Sequence, residues 1–451
     1  MEKSLASLLN LLPEVKTLGS AEKIITDITA DSRTVQAGSL FIALRGATVD
    51  GHKFLPMAAA KGAVAALVEE VPQEPPEGVT LLVVPDTRAA MELITPYFYD
   101  YPGKRLRMVG VTGTNGKTTT TSIVGEMFKR LPVPSAVGGN IGLALSKEVN
   151  GLPENAWMAA ELSSFQLEKV TTFRPDIAVV LNLTPDHLER HHTMAAYGAA
   201  KKNIFRHQSM GQVTVLNYDD PEVRSWAKES SGTICFFSRK NVLQEGIFIQ
   251  NGNFVIKWND TTRVVCNIDE LQLFGGHNEE NVLAAIACGY FAHVPIEEMA
   301  DVLRNFKSIE HRLEYVRTIK GVPYYNDSKA TNTDSAIKAL EAFSKGHIVL
   351  LAGGHDKLTE LEPMMALVKE KCDALILLGA AKERFYEAAK AAGVGNILLA
   401  TSFEDAVDKA YAMAEPPQVV LLSPACSSYD MFKNYPERGR YFKKLVNALP
   451  E

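Results

Sequence analysis

The spacing of apolar and polar positions divides the chain into short strands and helices along most of its length. Apolar runs alternate with segments whose apolar positions recur at helical spacing. Such alternation is typical of α/β folds with mainly parallel sheets. Strands are predicted at 39–44, 63–68, 79–84, 108–111, 156–160, 177–181, 213–216, 347–351, 374–378, 396–399 and 419–422, helices at 5–12 and 55–61, and a hairpin at 248–258.

The length of the chain predicts more than one hydrophobic core. A chain of 451 residues corresponds to roughly three domains, which we place at 1–103, 104–310 and 311–451. A linker is expected at 97–104, where Pro102-Gly103 interrupts the pattern. We expect a small α/β domain, then a parallel sheet with a mononucleotide-binding P-loop, then a doubly wound, Rossmann-like sheet.

The stretch Met108 to Thr121, MVGVTGTNGKTTTT, predicts a strand, a tight glycine loop and a helix. Gly113 and Gly116 permit backbone angles that let several N–H groups face one anion. Lys117 supplies a cation for phosphates, and Thr118 a hydroxyl for magnesium. A glycine-rich turn without ligand is the alternative. The loop is shorter than the usual GxxxxGK[ST] pattern, so we expect ATP and a particular subset of P-loop enzymes.

Composition excludes several classes of protein. The net charge of −6 argues against a nucleic-acid surface. No apolar run approaches the roughly 20 residues that span a bilayer, and the N-terminus lacks a cleavable signal. Five scattered cysteines fit neither a disulfide framework nor a zinc site, which favours reduced thiols in the cytoplasm.

Polar residues at the predicted strand ends are the candidates for chemistry. Glu161 ends a strand and is a natural Mg²⁺ ligand, the alternative being an acid at a helix N-terminus. His187 follows another strand within a dense polar cluster, 184–192, and we expect it to belong to a site. His191 and His192 are expected to be ordinary surface residues. Lys201, taken alone, indicates a solvated basic helix face.

Several motifs resemble the Mur ligase family, the ATP-dependent amino-acid ligases of peptidoglycan precursor synthesis. They run from the phosphate loop to the C-terminus. The motifs are 113–119, 139–142 (GNIG), 161–167 (ELSSFQL), 186–191 (DHLERH), 276–281 (GHNEEN), 310–314 (EHRLE), 326–332 (NDSKATN) and 423–430 (SPACSSYD). Over this region the chain is similar to the branch of the family that adds D-glutamate.

The first hundred residues resemble a different branch, the one that adds the third amino acid. The motifs are 29–33 (TADSR), 38–43 (GSLFIA) and 50–54 (DGHKF). The Asp-Asn-Pro-Arg tetrapeptide of that branch is missing, and 353–357 (GGHDK) resembles the D-glutamate branch instead. The chain is therefore a mosaic, of natural or engineered origin.

The resemblance implies a role for each matching residue. Nucleotide binding is implied for Gly113, Thr114, Asn115, Gly116, Lys117, Thr118, Thr119, Asn278, Arg312 and Asp327. Two Mg²⁺ ions are implied at Thr118, Glu161, His187 and a carbamylated Lys201. Acceptor and D-glutamate binding are implied for Asp31, Ser32, Arg33, Asn140, Lys329, Thr331, Lys357, Ser428 and Tyr435, the last standing where the family favours Phe.

The implied reaction is addition of D-glutamate to UDP-N-acetylmuramoyl-L-alanine through an acyl phosphate, with a UDP-binding first domain. Lys117, Glu161, His187 and Lys201 would carry the catalysis. We expect a cytoplasmic monomer without nucleic-acid or membrane partners. The alternatives are a third-residue ligase, a folylpolyglutamate synthase, and a noncatalytic nucleotide-binding scaffold partnered with an amidotransferase subunit.

Overall fold

The structure is a computed structural model that describes most of the chain. Described are residues 1–46, 49–140, 145–149, 151–273, 275–307, 309–343, 346–356 and 358–451. These residues fall into two compact units. The first comprises Met1–Arg107 with Gly142–Met158, and the second comprises Met108–Ile141 with Ala159–Glu451.

The first unit contains a five-stranded sheet with the order β2-β7-β6-β5-β4. The strands are β1 Lys3–Ser4, β2 Lys16–Leu18, β3 Ile24–Ile25, β4 Asp27–Thr29, β5 Ser39–Ile42, β6 Ala65–Val68 and β7 Thr80–Val83. β1 and β3 form a separate antiparallel pair. The sheet is parallel except for β2, which runs antiparallel to β7. All four residues of β5 and of β6 are buried, as expected for central strands.

The helices of the first unit correct one prediction. They are α1 Leu5–Leu9, α2 Leu55–Ala60, α3 Thr87–Phe98 and α4 Pro102–Arg105, with a 3₁₀ turn at Gly51–Phe54. The linker predicted at 97–104 is wrong, because α3 and α4 take up most of it. Only the short turn between them is irregular, with Asp100 and Tyr101 at left-handed φ angles. Further along the chain, α6 Leu145–Glu148 belongs to the same unit.

A nine-stranded sheet forms the larger part of the second unit, in the order β16-β15-β14-β13-β12-β11-β8-β10-β9. The strands are β8 Arg107–Thr112, β9 Ser135–Gly139, β10 Trp157–Glu161, β11 Ile177–Val180, β12 Val213–Asn217, β13 Thr233–Ser238, β14 Gly246–Gln250, β15 Asn253–Trp258 and β16 Thr261–Asn267. In the order of the sheet, each of the neighbouring pairs β8–β11, β11–β12, β12–β13 and β13–β14 is parallel. The predicted hairpin is confirmed, since β14 and β15 pair antiparallel around Asn251-Gly252.

Two buried helices pack together in this part of the molecule. The helices are α5 Lys117–Phe128, α7 Ser164–Leu167, α8 Leu188–His191, α9 Met194–Lys202, α10 Pro221–Ser225, α11 Gly276–Phe291 and α12 Ile296–Asn305, with 3₁₀ turns at Trp226–Lys228 and Ile268–Glu270. Most residues of α5 and α11 are buried, so little of either helix faces solvent. The strand–loop–helix predicted around the glycine loop is confirmed as β8 and α5.

A six-stranded sheet follows in the order β17-β18-β22-β19-β20-β21. The strands are β17 Glu314–Ile319, β18 Val322–Asn326, β19 Ile348–Gly353, β20 Cys372–Leu378, β21 Ile397–Leu399 and β22 Val419–Leu422, and the helices are α13 Thr333–Ala342, α14 Glu362–Lys371, α15 Lys382–Ala392, α16 Phe403–Met413 and α17 Tyr435–Ala448. Apolar clusters line both faces of the sheet. The predicted α/β class is confirmed, whereas the domain boundaries stay a prediction.

Candidate active site

The loop between β8 and α5 has the geometry of an anion cradle. Gly113 and Gly116 adopt φ angles of 152° and 83°. A Cβ on Gly116 would lie 2.1 Å from Asn281 Oδ1, so both the angle and the space require glycine. α5 begins directly after Gly116, and its free N–H groups face the loop.

Asn182, just beyond the end of β11, holds this loop in shape. Its Oδ1 accepts a hydrogen bond from Asn115 N at 2.9 Å, and its Nδ2 donates to Asn115 O at 3.2 Å. Thr114 N donates to the Asn182 carbonyl at 3.1 Å. The loop backbone is therefore fixed by the neighbouring strand of the sheet, as preorganised phosphate binding requires.

Cationic side chains converge on the start of α5. Lys329 Nζ and Arg312 Nη2 both donate to Thr118 Oγ1, at 2.9 and 3.2 Å. Lys117 Nζ lies over its own loop and donates to the carbonyls of Gly113 and Thr114 at 2.9 and 2.8 Å. Burial lowers the pKa of Lys329 to about 7 and lowers the pKa of Lys117. The cluster forms a positively charged environment suited to phosphates.

Glu161 presents an unused carboxylate oxygen to this cluster. Its side chain is 2% exposed, and Asn140 Nδ2 donates to Oε1 at 3.2 Å. The buried Oε2 has no hydrogen-bond partner among the described residues. A buried carboxylate oxygen left unpaired is costly unless something binds it. The carboxylate therefore fits a divalent cation, as the sequence predicts.

Lys201 is buried, so the interpretation of a solvated basic face is wrong for this residue. Lys201 is 1% exposed, and its Nζ donates to Gly113 O at 2.8 Å and lies 4.5 Å from the Tyr197 ring. Burial, reinforced by the nearby Lys117 charge, holds the pKa of Lys201 well below its usual range. A lowered pKa favours the neutral amine, the form that can react with an electrophile such as CO₂.

Among the histidines of the polar cluster, only His191 differs from the prediction, since His192 is exposed as expected and the site role of His187 stays a prediction. His187 Nε2 lies 3.6 Å from Asp186 Oδ2, and its ring contacts Phe165 edge-on. His191, predicted to lie on the surface, is 6% exposed and stacks on Phe165. Its two ring nitrogens face Ser164 Oγ at 3.0 Å and Glu168 Oε1 at 3.2 Å. The prediction failed because both partners come from the segment after β10, far away in sequence.

An open cleft of about 680 Å³ adjoins the phosphate loop. Predicted nucleotide-binding residues line it: Asn115, Gly116, Thr119, Asn278, Arg312 and Asp327. Asp327 accepts hydrogen bonds from Leu313 N and Ser423 Oγ, and burial raises its pKa to about 7. His277 also lines the cleft, and burial lowers its pKa to about 3, so it is neutral at pH 7.

A buried arginine that the sequence did not single out joins the loops near Lys329. Arg438, on α17, is 1% exposed. Its guanidinium donates to Ser328 Oγ and O at 3.0 and 2.8 Å, to Cys426 O at 3.0 Å and to Ser427 O at 3.3 Å. Ser328 Oγ in turn donates to Tyr435 O at 2.9 Å. One side chain therefore sets the backbone beside three predicted substrate residues, which are Lys329, Ser428 and Tyr435.

The remaining predicted substrate residues fall into three groups. Thr331 is half-buried between Ala330 and Asn332, in the segment that carries Lys329. In the first unit, Arg33 forms a bidentate pair with Asp31, and Ser32 is 7% exposed. Lys357 lies outside the described residues. The side chains brought together around the phosphate loop are those of Lys117, Thr118, Asn140, Glu161, Lys201, Arg312 and Lys329.

Two features are absent from the described residues, a ready-made metal cluster and a membrane-spanning helix. Within that part of the chain no three His, Cys, Asp or Glu side chains are grouped as a ready metal site. Among the described helices none combines the length and the apolar character that crossing a membrane requires.

Three family models match successive parts of the chain. "Mur ligase family, catalytic domain" matches residues 24–99, "Mur ligase middle domain" matches 111–289, and "Mur ligase, glutamate ligase domain" matches 311–426. The three matches lie in the same order as the three sheets described above.

Curated relatives are similar over most of the chain. The UDP-N-acetylmuramoylalanine–D-glutamate ligase of Pelotomaculum thermopropionicum is 46% identical over 380 residues, which are 82% of this chain and 82% of that protein. The ligase of the same name from Clostridioides difficile is 42% identical over 341 residues, which are 76% of this chain and 75% of that protein.

Solved structures share the fold at lower identity. MurF from Acinetobacter baumannii superposes with a TM-score of 0.75 at 21% identity, covering 94% of this chain and 96% of that one. MurF from Thermotoga maritima, solved in complex with ADP, has a TM-score of 0.70 at 20% identity, covering 93% and 98% of the two chains. At such identities the similarity establishes the architecture.

Proposed function

The chain belongs to the Mur ligase family, and from this membership we propose that it joins D-glutamate to UDP-N-acetylmuramoyl-L-alanine with the consumption of ATP. It is an ATP-dependent ligase of peptidoglycan precursor synthesis. The observation that carries the proposal is the cluster around Thr118. There Thr118 contacts Arg312, which lies just before β17, and Lys329, which lies between β18 and α13.

ATP would bind with its phosphates on the loop and its nucleoside in the adjoining cleft. Lys117 and the N–H groups of the first turn of α5 would face the polyphosphate. Asn278, Arg312 and Asp327 line the cleft, where the rest of the nucleotide would lie. Arg312 and Lys329 both contact Thr118, so their side chains lie where they would stabilise bound phosphates.

The residues present fit magnesium at the loop. Thr118 and Glu161 would hold one Mg²⁺, and the unpaired Oε2 of Glu161 supports that assignment. His187 and a carbamylated Lys201 would hold a second. Bound Mg²⁺ would offset negative charge on the transferring phosphoryl group.

Carbamylation of Lys201 agrees with its environment. A neutral amine attacks CO₂ to form a carbamate and releases one proton, so an uncharged group becomes an anion. The lowered pKa of Lys201 favours the neutral amine, and its burial protects the product from solvent. The positive charge of the nearby Lys117 would then offset the negative charge of the carbamate.

The remaining proposed contacts concern the two organic substrates. Lys329, Thr331, Lys357, Ser428 and Tyr435 would bind D-glutamate, whose two carboxylates suit lysine and hydroxyl donors. Asn140 would contact the acceptor beside Glu161. In the first unit, Asp31, Ser32 and Arg33 would bind the UDP part.

The reaction needs the acceptor carboxylate to be activated. One carboxylate oxygen attacks the γ-phosphorus of ATP, the bond to the bridging oxygen breaks, and ADP leaves. The amine of D-glutamate attacks the resulting acyl phosphate, loses a proton, and expels inorganic phosphate. Lys117 and Arg312 would stabilise charge on the phosphoryl oxygens, and Lys329 would orient the amino acid.

An amino-acid and acceptor screen tests the proposal. Purified protein receives ATP, Mg²⁺, bicarbonate, UDP-N-acetylmuramoyl-L-alanine and D-glutamate, and mass spectrometry follows the nucleotide product. We expect a mass increase equal to D-glutamate minus water, one ADP per product, and no product with L-glutamate. Absence of any amide under these conditions would end the proposal.

A third-residue ligase is the second candidate, because the motifs at 29–33 and 50–54 resemble that branch. The same assay separates the two functions. The dipeptide acceptor UDP-N-acetylmuramoyl-L-alanyl-D-glutamate is offered with diaminopimelate or L-lysine. We expect phosphate release to be faster with the L-alanine acceptor and D-glutamate, and faster turnover of the dipeptide acceptor would overturn that order.

A further inference from the structure

A carboxylate in the first turn of α13 contacts the phosphate loop directly. Asp334 Oδ2 accepts hydrogen bonds from Asn115 Nδ2 and, at 3.0 Å, from Thr184 Oγ1. The next residue, Ser335, donates from Oγ to Asn115 Oδ1 at 2.9 Å. Both ends of the Asn115 side-chain amide are therefore held by adjacent residues of one helix.

The N-cap of α13 extends this contact to a second loop. Asn332 Nδ2 donates to Asp186 Oδ2 at 3.1 Å, while Asn332 Oδ1 caps the helix by accepting from Ser335 N at 2.8 Å. The first turn of α13 thus contacts the loop after β8 and the loop after β11. Both loops belong to the nine-stranded sheet, whereas α13 belongs to the six-stranded one.

The partners of Asp334 are themselves fixed on the side of the nine-stranded sheet. Asn115 N and O are both bonded to the Asn182 side chain. Thr184 N donates to Thr114 Oγ1 at 3.0 Å, and Thr114 Oγ1 donates to Thr184 O at 3.1 Å. Asp334 therefore ties α13 to a rigid part of the site.

The chain between β18 and α13 carries the residues that this tie would position. Lys329 lies five residues before Asp334 and reaches Thr118. The Arg438 guanidinium holds the neighbouring Ser328 from the other side. The segment 327–332 is thus bonded at both ends, and Asp334 supplies the one carboxylate among the three side chains, those of Asn332, Asp334 and Ser335, that bond the end nearer the phosphate loop.

We propose that Asp334 is a positioning residue that holds the segment 327–332 against the phosphate loop while the acyl phosphate reacts. Its carboxylate acts through Asn115 and Thr184. The activity consequence rests on the proposed function: without the tie, D-glutamate is placed less accurately and water reaches the acyl phosphate. Each hydrolysis event then consumes one ATP without forming an amide.

The variants Asp334→Ala, Asp334→Asn, Thr184→Val and the Thr184→Val/Asp334→Ala double variant test the contact. Loss of hydrogen bonds to a charged group corresponds to about a tenfold change in an equilibrium. Asp334→Ala should raise the ADP formed per amide clearly above one and the KM for D-glutamate about tenfold. Asp334→Asn keeps an oxygen that can accept both bonds, so its KM should stay within about threefold of the wild type.

The double variant and a matched control separate positioning from general damage. If Thr184 acts through Asp334, the double variant should behave as Asp334→Ala alone, since the shared bond is already lost. Glu341, an exposed acid on the same helix, provides the control, and Glu341→Ala should leave the ADP-to-amide ratio at one. A purely structural role would lower thermal stability without changing that ratio.

Hydrogen–deuterium exchange tests the tie in the full chain without substrates. Asp334→Ala should speed amide exchange in peptides covering 112–121, more than 200 residues away in sequence, as well as in peptides covering α13. Glu341→Ala should change neither. Wild-type exchange at 112–121 together with an unchanged ADP-to-amide ratio in Asp334→Ala would overturn the inference. A wild-type protein that forms no amide would instead overturn the proposed function, and the exchange result would still decide the role of Asp334.

Discussion

Burial gives two neighbouring residues of the cleft opposite acid–base shifts. The pKa of Asp327 is raised to about 7 and that of Lys329 is lowered to about 7, in both cases mainly by desolvation. Near neutral pH each group is therefore partly uncharged. A nucleotide and an amino acid that bring their own charges would favour the charged forms again.

These shifts predict how stability depends on pH. Between about pH 4 and 7 the folded protein keeps a proton on Asp327 that the unfolded chain releases, so stability falls as pH rises. Between about 7 and 10.5 the unfolded chain holds a proton that folded Lys329 has lost, so stability rises with pH.

Urea denaturation of Asp327→Asn across this range measures the first effect. The variant lacks the titrating group, so its stability relative to the wild type should increase between pH 4 and 7 by roughly 2–4 kcal/mol. Lys329→Met serves as the counterpart, because it should lose the rise above pH 7. A difference between Asp327→Asn and wild type that stays constant with pH would contradict the assigned pKa.

Lys201 and its neighbour Lys202 form a matched pair for mutation. Lys201→Ala should lower ligation about 100-fold or more, as loss of an electrostatic catalytic group does, and small carboxylates should partly restore activity. Lys202 is paired with Glu229 at the edge of α9, and Lys202→Ala should ligate normally. Steady-state ADP release with and without added formate measures both. Full activity of Lys201→Ala would contradict a catalytic role of this residue.

The residues that sequence could not place are those whose partners are distant along the chain. The glycine loop, Glu161 and His187 were found because each follows an apolar strand. Arg438 and Asp334 stand in ordinary helical patterns, but Ser328 lies 110 residues from Arg438, and Asn115 and Thr184 lie 219 and 150 residues from Asp334. His191 was misplaced for the same reason. The burial of a side chain depends on tertiary contacts, and the spacing of apolar residues along the chain does not reveal these contacts.

At the scale of elements, α5 packs unusually close to β9. A Cβ on Gly125 would lie 2.3 Å from Val137 Cγ2. Alanine would favour the helix by about 0.5–1 kcal/mol, but the clash would force Val137 or the strand to move. Gly125→Ala should therefore destabilise the protein by about 1–2 kcal/mol in urea denaturation, despite its better helix propensity.

Two further variants make this prediction specific. Gly103, on α4, has nothing within 4 Å of its would-be Cβ, so Gly103→Ala should be neutral or slightly stabilising. Combining Gly125→Ala with Val137→Ala should recover part of the loss. If Gly125→Ala is as stable as the wild type, the close packing of α5 on β9 is wrong.

Apolar periodicity located most elements, with shifts of up to three residues at their ends. β5, β11 and β22 correspond closely to their predicted runs, since buried parallel strands are continuous in apolar residues. The linker failed because Pro102 and Gly103 were taken as breakers. Proline is well accommodated in the first turn of a helix, and here it begins α4.

At the scale of the molecule, the chain places charged groups from two sheets around one phosphate loop. Thr118 contacts Arg312 and Lys329, and Asn115 contacts Asp334 and Ser335. A site assembled in this way requires both sheets, so neither sheet alone should activate a carboxylate. Phosphoryl transfer from ATP and attack by the amine of D-glutamate accordingly take place at one shared site.

Isotope transfer from the acceptor tests that assignment most directly. UDP-N-acetylmuramoyl-L-alanine labelled with ¹⁸O in its carboxylate is incubated with ATP, Mg²⁺, bicarbonate and D-glutamate, and the released phosphate is analysed by mass spectrometry. When the acyl phosphate forms, one carboxylate oxygen becomes bonded to phosphorus, and it leaves with the phosphate when the amide forms. We therefore expect one ¹⁸O in the phosphate for each amide formed. Amide formation with unlabelled phosphate would contradict it.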